Sequence, residues 1–284
     1  MRISARLLLG WGVAACWSGE NLFAAGRNAA GNPPRFSSVQ SVPENRMREL
    51  STDRPDATES PFTVDAGHVQ LEMDFANYAR DDESGGRVTE WEAAPFNLRF
   101  GLSRYFEAGF FVVPFRSETE VLPEGGRSRR SGLGDITLRA KLNLAGNDDG
   151  DLAWGLIADL KLPTADDGMN NGKLEGAVAL PVAFALGGGW EGAAMTAVEA
   201  VYTETGRYRA VWTNTVTAGR DLTKNVGGFV ELTSSAGDGS HIATFNCGVT
   251  RRFGPHVQYD AGVNFGLSQA APDVAVFTGL SRRF

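Results

Sequence analysis

Charged side chains of both signs recur at alternate positions in several parts of the sequence. The set consists of seven acids and four bases: Glu72, Asp74, Arg99, Glu107, Asp135, Arg139, Lys141, Asp159, Lys161, Glu231 and Asp260. Side chains two residues apart on a β-strand point to the same side of the sheet. We therefore expect these charges to share one face, where they either form a ladder of structural ion pairs or line a polar pathway.

Few residues have the types and spacing that catalysis or metal binding requires. Of the three histidines, only His241 has hydroxyl and acidic residues close by in sequence, and these are Ser234, Ser235, Asp238 and Ser240. Ser240 and His241 are adjacent and would face opposite ways on a strand, so they make a poor catalytic pair. The chain has only two cysteines, Cys16 and Cys247, which excludes a disulfide framework and a cysteine-based zinc site. We predict no enzyme, no cofactor and no metal site.

Composition narrows the class of protein further. The chain has 284 residues, of which 42% are hydrophobic and 21% charged, and this is too apolar for a disordered protein. A net charge of −7 argues against a nucleic-acid partner. The longest uncharged apolar stretch, residues 7–17, has 11 residues, whereas a membrane-spanning helix needs about 20.

Alternation of apolar and polar residues predicts β-strands along the chain after residue 66. We predict twelve strands, within residues 69–75, 96–100, 106–112, 136–144, 152–162, 180–186, 190–202, 208–218, 226–232, 242–250, 257–265 and 274–280. The strands at 190–202, 208–218 and 242–250 are the weaker ones, because alanine, glycine and threonine blur the difference between the two faces. Pro95 and Pro181 indicate bulges or strand starts.

The predicted connections alternate in length. Short turns are expected at residues 101–105, 145–151, 187–189, 219–225 and 251–255, and longer loops at 78–87, 114–131, 163–175, 202–207, 234–240 and 268–272. This asymmetry is typical of outer-membrane barrels, which have short periplasmic turns and longer outer loops. An even number of strands places both chain ends on the short-turn side.

A soluble β-sandwich also uses alternating strands, but it buries its apolar face against a second sheet. A barrel in lipid turns its apolar face outward and keeps its charges inside. Apolar alternation over eight to ten residues in several strands favours the barrel, because a tilted strand of that length crosses a bilayer. Phe284 at the C-terminus favours it too, because the residues of the same parity before it are apolar except for Arg282, which breaks the pattern. We predict an all-β fold, a 12-stranded antiparallel transmembrane β-barrel of the outer-membrane type.

The first 25 residues predict a secretory signal. Arg2 and Arg6 precede the apolar stretch 7–17, and Leu22-Phe23-Ala24-Ala25 follows, with small residues where a peptidase would cut. A lipobox at residues 13–16, in which Cys16 would be lipidated, is an alternative that stays open. The predicted domains are a signal peptide in residues 1–25, a leader with a periplasmic plug segment in 26–66, and a transmembrane barrel in 67–284.

Several segments form a set of motifs. They are Thr52-Asp53-Arg54-Pro55-Asp56-Ala57-Thr58-Glu59-Ser60-Pro61-Phe62, Gly67-His68-Val69-Gln70-Leu71-Glu72, Ser131-Gly132-Leu133-Gly134-Asp135-Ile136, Leu162-Pro163-Thr164, Tyr259-Asp260-Ala261-Gly262, Phe265-Gly266-Leu267 and Ala271-Pro272-Asp273. Together they resemble an outer-membrane transporter family labelled "Putative MetA-pathway of phenol degradation", over about residues 52–284. The resemblance implies an outer-membrane channel for aromatic or other small compounds, and it carries over no catalytic residues.

A second group of charges, Asp53, Arg54, Asp56 and Glu59, lies just before the first predicted strand. We expect residues 51–62 to fold into the barrel as a plug, with Arg54 paired to inward acids and Asp53 or Asp56 paired to inward bases. The alternative is an ordered periplasmic cap that only seals the floor of the barrel.

The sequence therefore predicts a passive outer-membrane channel for small molecules in a Gram-negative bacterium. A structural or surface-interaction barrel with a closed lumen is the first alternative, and a barrel-embedded hydrolase is the second. The expected partners are the lipid bilayer, lipopolysaccharide, small-molecule solutes and, through Phe284, the barrel-assembly machinery.

Overall fold

The computed structural model describes residues 37, 40–82, 85–148, 150–203 and 205–284. The predicted signal peptide and the lipobox at Cys16 lie outside these residues. Within them, the only helical element is a 3-10 turn, Glu44–Arg46, and no helix is long and apolar enough to cross a membrane.

Fifteen β-segments follow the turn. They are β1 (Val69–Asp81), β2 (Arg87–Ala93), β3 (Phe96–Gly101), β4 (Phe106–Val112), β5 (Phe115–Val121), β6 (Arg127–Gly132), β7 (Ile136–Ala145), β8 (Leu152–Leu162), β9 (Glu175–Gly187), β10 (Trp190–Tyr202), β11 (Tyr208–Thr223), β12 (Val226–Gly237), β13 (Ser240–Arg252), β14 (Val257–Gly266) and β15 (Val274–Arg283).

These segments form one antiparallel sheet that closes on itself where β15 pairs with β1. Three consecutive pairs of segments, β2 with β3, β4 with β5 and β6 with β7, each continue a single wall strand across a short break. The wall therefore consists of twelve strands, and the predicted fold class is confirmed. Among the described strands, all except β6 pair on both sides, as lipid demands of a spanning β-structure, and β6 pairs with β5 alone at one end of the barrel.

Pro95 and Pro181 occupy places where the strand needs no backbone N–H donor. Pro95 lies in the break between β2 and β3, next to Ala94, whose φ is 52°. Pro181 lies within β9 opposite Met195 of β10. On its other side, the β8–β9 ladder has no paired residues between the Trp154–Val182 and Ile157–Ala179 pairs. Proline has no backbone N–H to donate there.

The prediction of a long loop at residues 114–131 is wrong. This stretch forms β5 and most of β6, which pair as a hairpin with its tip at residues 122–126. Both segments carry charged or hydroxyl side chains on both faces, so the search for alternating apolar residues missed them. The loop predicted at 78–87 is also shorter, because β1 extends to Asp81 and β2 begins at Arg87.

The distribution of side chains across the wall is the reverse of that in a soluble protein. Leu232 and Val276 are 50% and 45% exposed on the outer face, whereas Arg99 and Lys141 are 1% and 0% exposed inside. Arginine and lysine are almost never fully buried in soluble proteins unless they are paired. The outer face is therefore built to contact lipid, and the lumen is polar.

The two ends of the barrel differ. At one end, which we call the chain end, β1 begins and β15 ends, and Phe284 N donates to Val69 O at 2.8 Å. The connections at the opposite end, called the loop end, are residues 82–86, 122–126, 163–174, 203–207, 238–239 and 267–273. By the rule that outer-membrane barrels carry their longer loops outside, the loop end faces the cell exterior.

An arginine at the middle of the outer face should destabilise the barrel more than one near its end. Val216, 48% exposed in the middle of β11, is the test position, and Leu222, 58% exposed near the chain end, is the matched control. We expect Val216→Arg to lower the free energy of unfolding in lipid vesicles by about 2–4 kcal/mol, and Leu222→Arg by about 0–1 kcal/mol. Equal losses, measured by denaturant titration, would contradict the lipid-facing assignment.

Candidate functional site

Residues 51–66, called the lumenal segment, lie inside the barrel before β1 begins. Asp53 is 0% exposed and Val64 is 3% exposed, although neither belongs to the wall. The segment enters β1 through Gly67, whose φ of 81° is a conformation that glycine adopts without strain. A polar stretch of chain can be buried here only because the wall supplies hydrogen-bond partners for it.

Arg54 links the lumenal segment to two acids on neighbouring parts of the wall. Its guanidinium donates to Asp260 of β14, with Nη2–Oδ1 at 2.7 Å and Nε–Oδ2 at 3.2 Å, and it also pairs with Asp74 of β1. Gly279 on β15 leaves room for this contact, because a Cβ there would collide with Nη2 of Arg54 and with the carbonyl oxygen of Met73. The arginine thus neutralises two carboxylates that face the same space.

Asp53 makes the complementary contact on another part of the wall. Lys141 Nζ of β7 lies 2.5 and 2.6 Å from its two carboxylate oxygens, and Arg99 Nη1 of β3 lies at 3.3 Å. Arg139 Nη1 is at 3.9 Å. Burial by itself would raise the pKa of Asp53, but Arg99, Lys141 and Arg139 outweigh it and lower that pKa below its usual value. Asp53 is therefore an anion held among three cations.

The same cations also have partners on the wall. Arg99 Nη1 lies 2.5 Å from Oε1 of Glu72, and Arg99 Nε lies 2.8 Å from Oε1 of Glu107. Arg139 bridges Glu59 of the lumenal segment at 2.6 Å and Asp159 of β8 at 2.8 Å. Charges of opposite sign therefore alternate between segment and wall, as a buried ion network requires.

Glu231 on β12 binds the backbone of the lumenal segment instead of a base. It accepts hydrogen bonds from the N–H groups of Ala57 and Thr58 at 2.9 and 2.7 Å, and from Thr58 Oγ1. Asp56 lies nearby, and burial, followed by the charge of Glu231, raises the pKa of Asp56 well above its usual value. Among the described residues, no lysine or arginine pairs with Asp56, so the base contacts of the segment come from Asp53, Glu59 and Asp65, and Asp65 pairs with Arg283 of β15 at 3.1 Å.

The remaining side of the lumen is apolar. Phe62 packs with Ala153, Ala183 and Ala193, which are contributed by β8, β9 and β10. A small cavity of about 20 Å³ lies between this part of the segment and the wall, enough for about one water molecule. Small wall side chains thus leave the space that the segment occupies.

A second charged cluster lines the lumen nearer the loop end, and sequence reasoning missed it. Arg116 of β5 pairs with Glu90 of β2 at 3.0 Å and with Glu92 at 3.9 Å. Arg130 of β6 pairs with Glu118 of β5 at 2.9 Å. The alternation of these residues with residues on the outer face was the available signal, but it lay in stretches predicted to be loop.

The predicted lumen residues occupy two levels of the barrel. Those at the level of the lumenal segment are Glu72, Asp74, Arg99, Glu107, Arg139, Lys141, Asp159, Glu231 and Asp260. Lys161 lies closer to the loop end, paired with Glu175 of β9 and at 3.6 Å from Asp135. Asp135 lies just before β7, where its carboxylate accepts hydrogen bonds from the N–H groups of Thr164 and Ala165 and so anchors the 163–174 loop.

The hydroxyl group nearest the His241 ring in the described contacts is that of Ser234. Ser234 Oγ lies 3.0 Å from His241 Nε2, at an exposed position near the loop end. Asp238, the nearby acid, pairs instead with Arg209 at 3.4 Å. Among the described residues, no carboxylate lies within ion-pair distance of His241, and no group of three or more ligands could hold a metal ion. A catalytic histidine needs an orienting partner.

The comparisons with known proteins agree with this architecture. A family model described as "Putative MetA-pathway of phenol degradation" matches residues 52–284. This range begins within the lumenal segment, so the family model covers both the segment and the barrel. The comparison with curated proteins gave no match.

Two solved structures illustrate the fold. A crystal structure of an outer membrane channel from Pseudomonas putida F1 is similar with a TM-score of 0.56 and 13% identity, covering 82% of this chain and 99% of that one. The β domain of the Bordetella autotransporter BrkA has a TM-score of 0.51 and 13% identity, covering 75% of this chain and 98% of that one. The chain has the fold of an outer-membrane β-barrel.

Removing the charge of Arg54 should destabilise the barrel, because Asp74 and Asp260 would then face each other without a cation. We expect Arg54→Met to cost about 3–5 kcal/mol of unfolding free energy. Arg46→Met is the matched control, since Arg46 is exposed on the 3-10 turn. Adding Asp260→Asn to Arg54→Met should recover part of the loss. A loss no larger than that of the control, in denaturant titrations, would contradict the role assigned to this contact.

Proposed function

This chain belongs to the outer-membrane family described as "Putative MetA-pathway of phenol degradation", and we propose that it is a passive channel for small molecules, plugged by its own lumenal segment. The similar structure from Pseudomonas putida F1 is itself an outer membrane channel. In this proposal, the segment closes the channel by filling the lumen, and the charges that line the wall set which ions pass.

One observation carries the proposal: the lumen is wide enough to hold a folded stretch of polypeptide. A barrel that only needed rigidity would be filled by its own side chains, as eight-stranded barrels are. Here alanines on β9 and β10 leave a space that Phe62 and its neighbours fill. If the segment moved out, the same space would admit a small solute.

The charges that line the wall support a preference for cations. At the level of the segment, the wall bases Arg99, Arg139 and Lys141 already pair with wall acids, whereas Arg283 of β15 pairs with Asp65 of the segment. Asp74, Glu231 and Asp260 instead rely on the segment for their main partners. Displacing the segment would leave these three acids facing the pathway, and a ring of acids favours cations.

A closed structural barrel is the second candidate function, and the buried ion network favours it. Asp53, Arg54 and Glu59 each bind the wall directly, so movement of the segment requires breaking several charge-assisted contacts. The two functions differ in one measurable property, which is whether the segment ever leaves the lumen while the wall stays folded.

Deleting residues 45–60 should open the pathway. We expect the refolded mature chain (26–284) to show closed or small conductance in planar bilayers, and the deletion variant to show a several-fold larger, cation-selective conductance. No rise in conductance from a folded deletion variant would contradict the plug and favour the structural barrel. Heat-modifiable migration of the barrel on gels reports folding.

A disulfide between segment and wall tests the plug without deleting it. Thr58 Oγ1 and Thr215 Oγ1 are 2.8 Å apart, so Thr58→Cys with Thr215→Cys should form a cross-link, in a Cys247→Ala background. Openings seen under reducing conditions should disappear on oxidation. The Cys247→Ala chain alone is the control and should respond to neither. Openings that persist after complete oxidation would contradict gating by the segment.

The charged cluster nearer the loop end should contribute to selectivity. In the 45–60 deletion, Glu92→Gln with Glu118→Gln should lower the ratio of cation to anion permeability a few-fold, measured as a shift in reversal potential. Glu124→Gln, at the exposed tip of the β5–β6 hairpin, is the control and should leave the ratio unchanged. An equal shift in both variants would place the selectivity elsewhere.

The family's description extends the proposal to the class of solute. We propose aromatic compounds among the small molecules that pass, and small aromatic acids added to the open deletion variant should block its current. Aliphatic acids of similar size are the control, and equal block by both would remove the aromatic preference while leaving the channel intact.

A further inference from the structure

Four arginines lie together on the outer face of the wall near the loop end. They are Arg80 on β1, Arg87 on β2, and Arg127 and Arg129 on β6, and we call them the outer arginine patch. Register fixes the face they occupy. Tyr78, two residues from Arg80, is paired on one side with Val276, which is 45% exposed on the lipid face, and on the other side with Trp91.

The register also arranges this part of the wall in rows. Arg87, Val121 and Arg127 form the row nearest the loop end. The next rows toward the membrane centre are Arg80, Thr89, Thr119 and Arg129, then Tyr78, Trp91, Ser117 and Ser131, then Ala76, Ala93 and Phe115. Cations thus give way to hydroxyls, then to aromatic rings, then to apolar side chains. This order matches the change from head group to acyl chain in a lipid leaflet.

The patch is only partly neutralised by the protein. Arg80 and Arg87 share one carboxylate, that of Asp82, with Arg80 Nε at 2.6 Å and Arg87 Nε at 2.5 Å. Among the described residues, no carboxylate lies within ion-pair distance of Arg127 or Arg129, and Arg129 Nε donates to Ser117 Oγ at 3.1 Å. A chain with a net charge of −7 therefore concentrates unneutralised positive charge at one point of its lipid-facing surface.

The patch borders a surface cavity of about 470 Å³. Its lining includes Trp91 and Phe115 at the membrane side, Thr89 and Thr119 in the middle, and Arg127 and Arg129 at the rim. Arg80 and Arg129 lie three strand spacings apart, which is about 14 Å. The cavity therefore offers hydroxyl donors and the guanidinium donors of Arg127 and Arg129, and Arg80 and Arg87 lie outside its lining on the neighbouring strands.

We propose that the outer arginine patch and its cavity bind the phosphorylated sugar anchor of one lipopolysaccharide molecule. Arginine binds phosphate through two parallel N–H donors, which suits a fixed site for a phosphorylated lipid. The loop end faces the outer leaflet, where lipopolysaccharide is the anionic lipid. Its sugar hydroxyls match Thr89 and Thr119, and its acyl chains would lie along Trp91 and Phe115. The site is independent of whether the lumen opens.

Binding of purified lipid A to the full-length barrel in detergent is the direct test, measured by titration calorimetry. Arg127→Gln with Arg129→Gln should weaken binding by about tenfold or more, because each substitution removes a charged hydrogen-bond donor to phosphate. The affinity of the unchanged barrel should fall as salt rises. Lipid A stripped of its phosphates should bind both proteins equally weakly.

The matched control is Arg220→Gln with Arg251→Gln. These two arginines are likewise on the outer face, but at the chain end, where Arg220 lies over the ring of Trp190 and Arg251 over that of Phe253. The control should bind lipid A as the unchanged barrel does. A second test variant, Ser117→Leu, fills the cavity without altering charge and should also weaken binding.

Unchanged binding in both the arginine and the Ser117 variants would overturn the site. Equal weakening by the chain-end control would also overturn it, because the effect would then be one of overall charge. Phosphatidylglycerol micelles supply phosphate without the sugar anchor. If they compete with lipid A at equal phosphate concentration, the site takes anionic lipids in general and the assignment to lipopolysaccharide is wrong.

Discussion

The contact between Asp53 and the basic side chains of the wall is the interaction on which the barrel interior depends. Arg99, Arg139 and Lys141 are held out of water, and Asp53 lies within 4 Å of all three. Breaking a buried ion pair by removing one partner is strongly destabilising, because a charge is left buried without compensation. These cations also have wall acids as partners, and Asp53 completes the network from the lumenal segment, so completing the network and filling the lumen are one event. Wall and segment are therefore interdependent parts of a single fold.

The shape of the lumen follows the same division of roles. Where the wall is charged, the segment presents side chains of opposite sign or its own N–H groups. Where the wall consists of Ala153, Ala183 and Ala193, the segment presents Phe62. Small wall residues thus have a purpose that the alternation of apolar residues does not reveal. Their small size weakened the contrast between the two faces of the predicted strand at 190–202, and the same small size leaves room for the segment.

The fold was predictable from the sequence, and the contacts of the site were predictable only in outline. Alternation identifies a face, because every second side chain turns the same way, so residues such as Lys141 and Glu231 were assigned to one side of the wall. Alternation does not show how far along the barrel axis a side chain lies, or which side chain it contacts across the lumen. It could not decide between Asp53 and Asp56 as the partner of the bases, nor separate Lys161 from the deeper charges. The hairpin of β5 and β6 escaped it because charged side chains on both faces remove the contrast.

The lumen is electrically divided, and this has a consequence for any solute that replaces the segment. Arg99, Arg139 and Lys141 lie on the arc from β3 to β7. The acids that rely on the segment, Asp74, Asp260 and Glu231, lie on the arc from β12 to β1, which also carries Arg283, paired with Asp65 of the segment. The segment turns Asp53 and Glu59 toward the first arc, and Arg54 with the N–H groups of Ala57 and Thr58 toward the second. The segment therefore lies between the two arcs with its carboxylates near the wall bases and its positive groups near the wall acids. A solute with separated positive and negative ends would be oriented by the same charges, so the wall that holds the segment is also suited to align a small polar molecule.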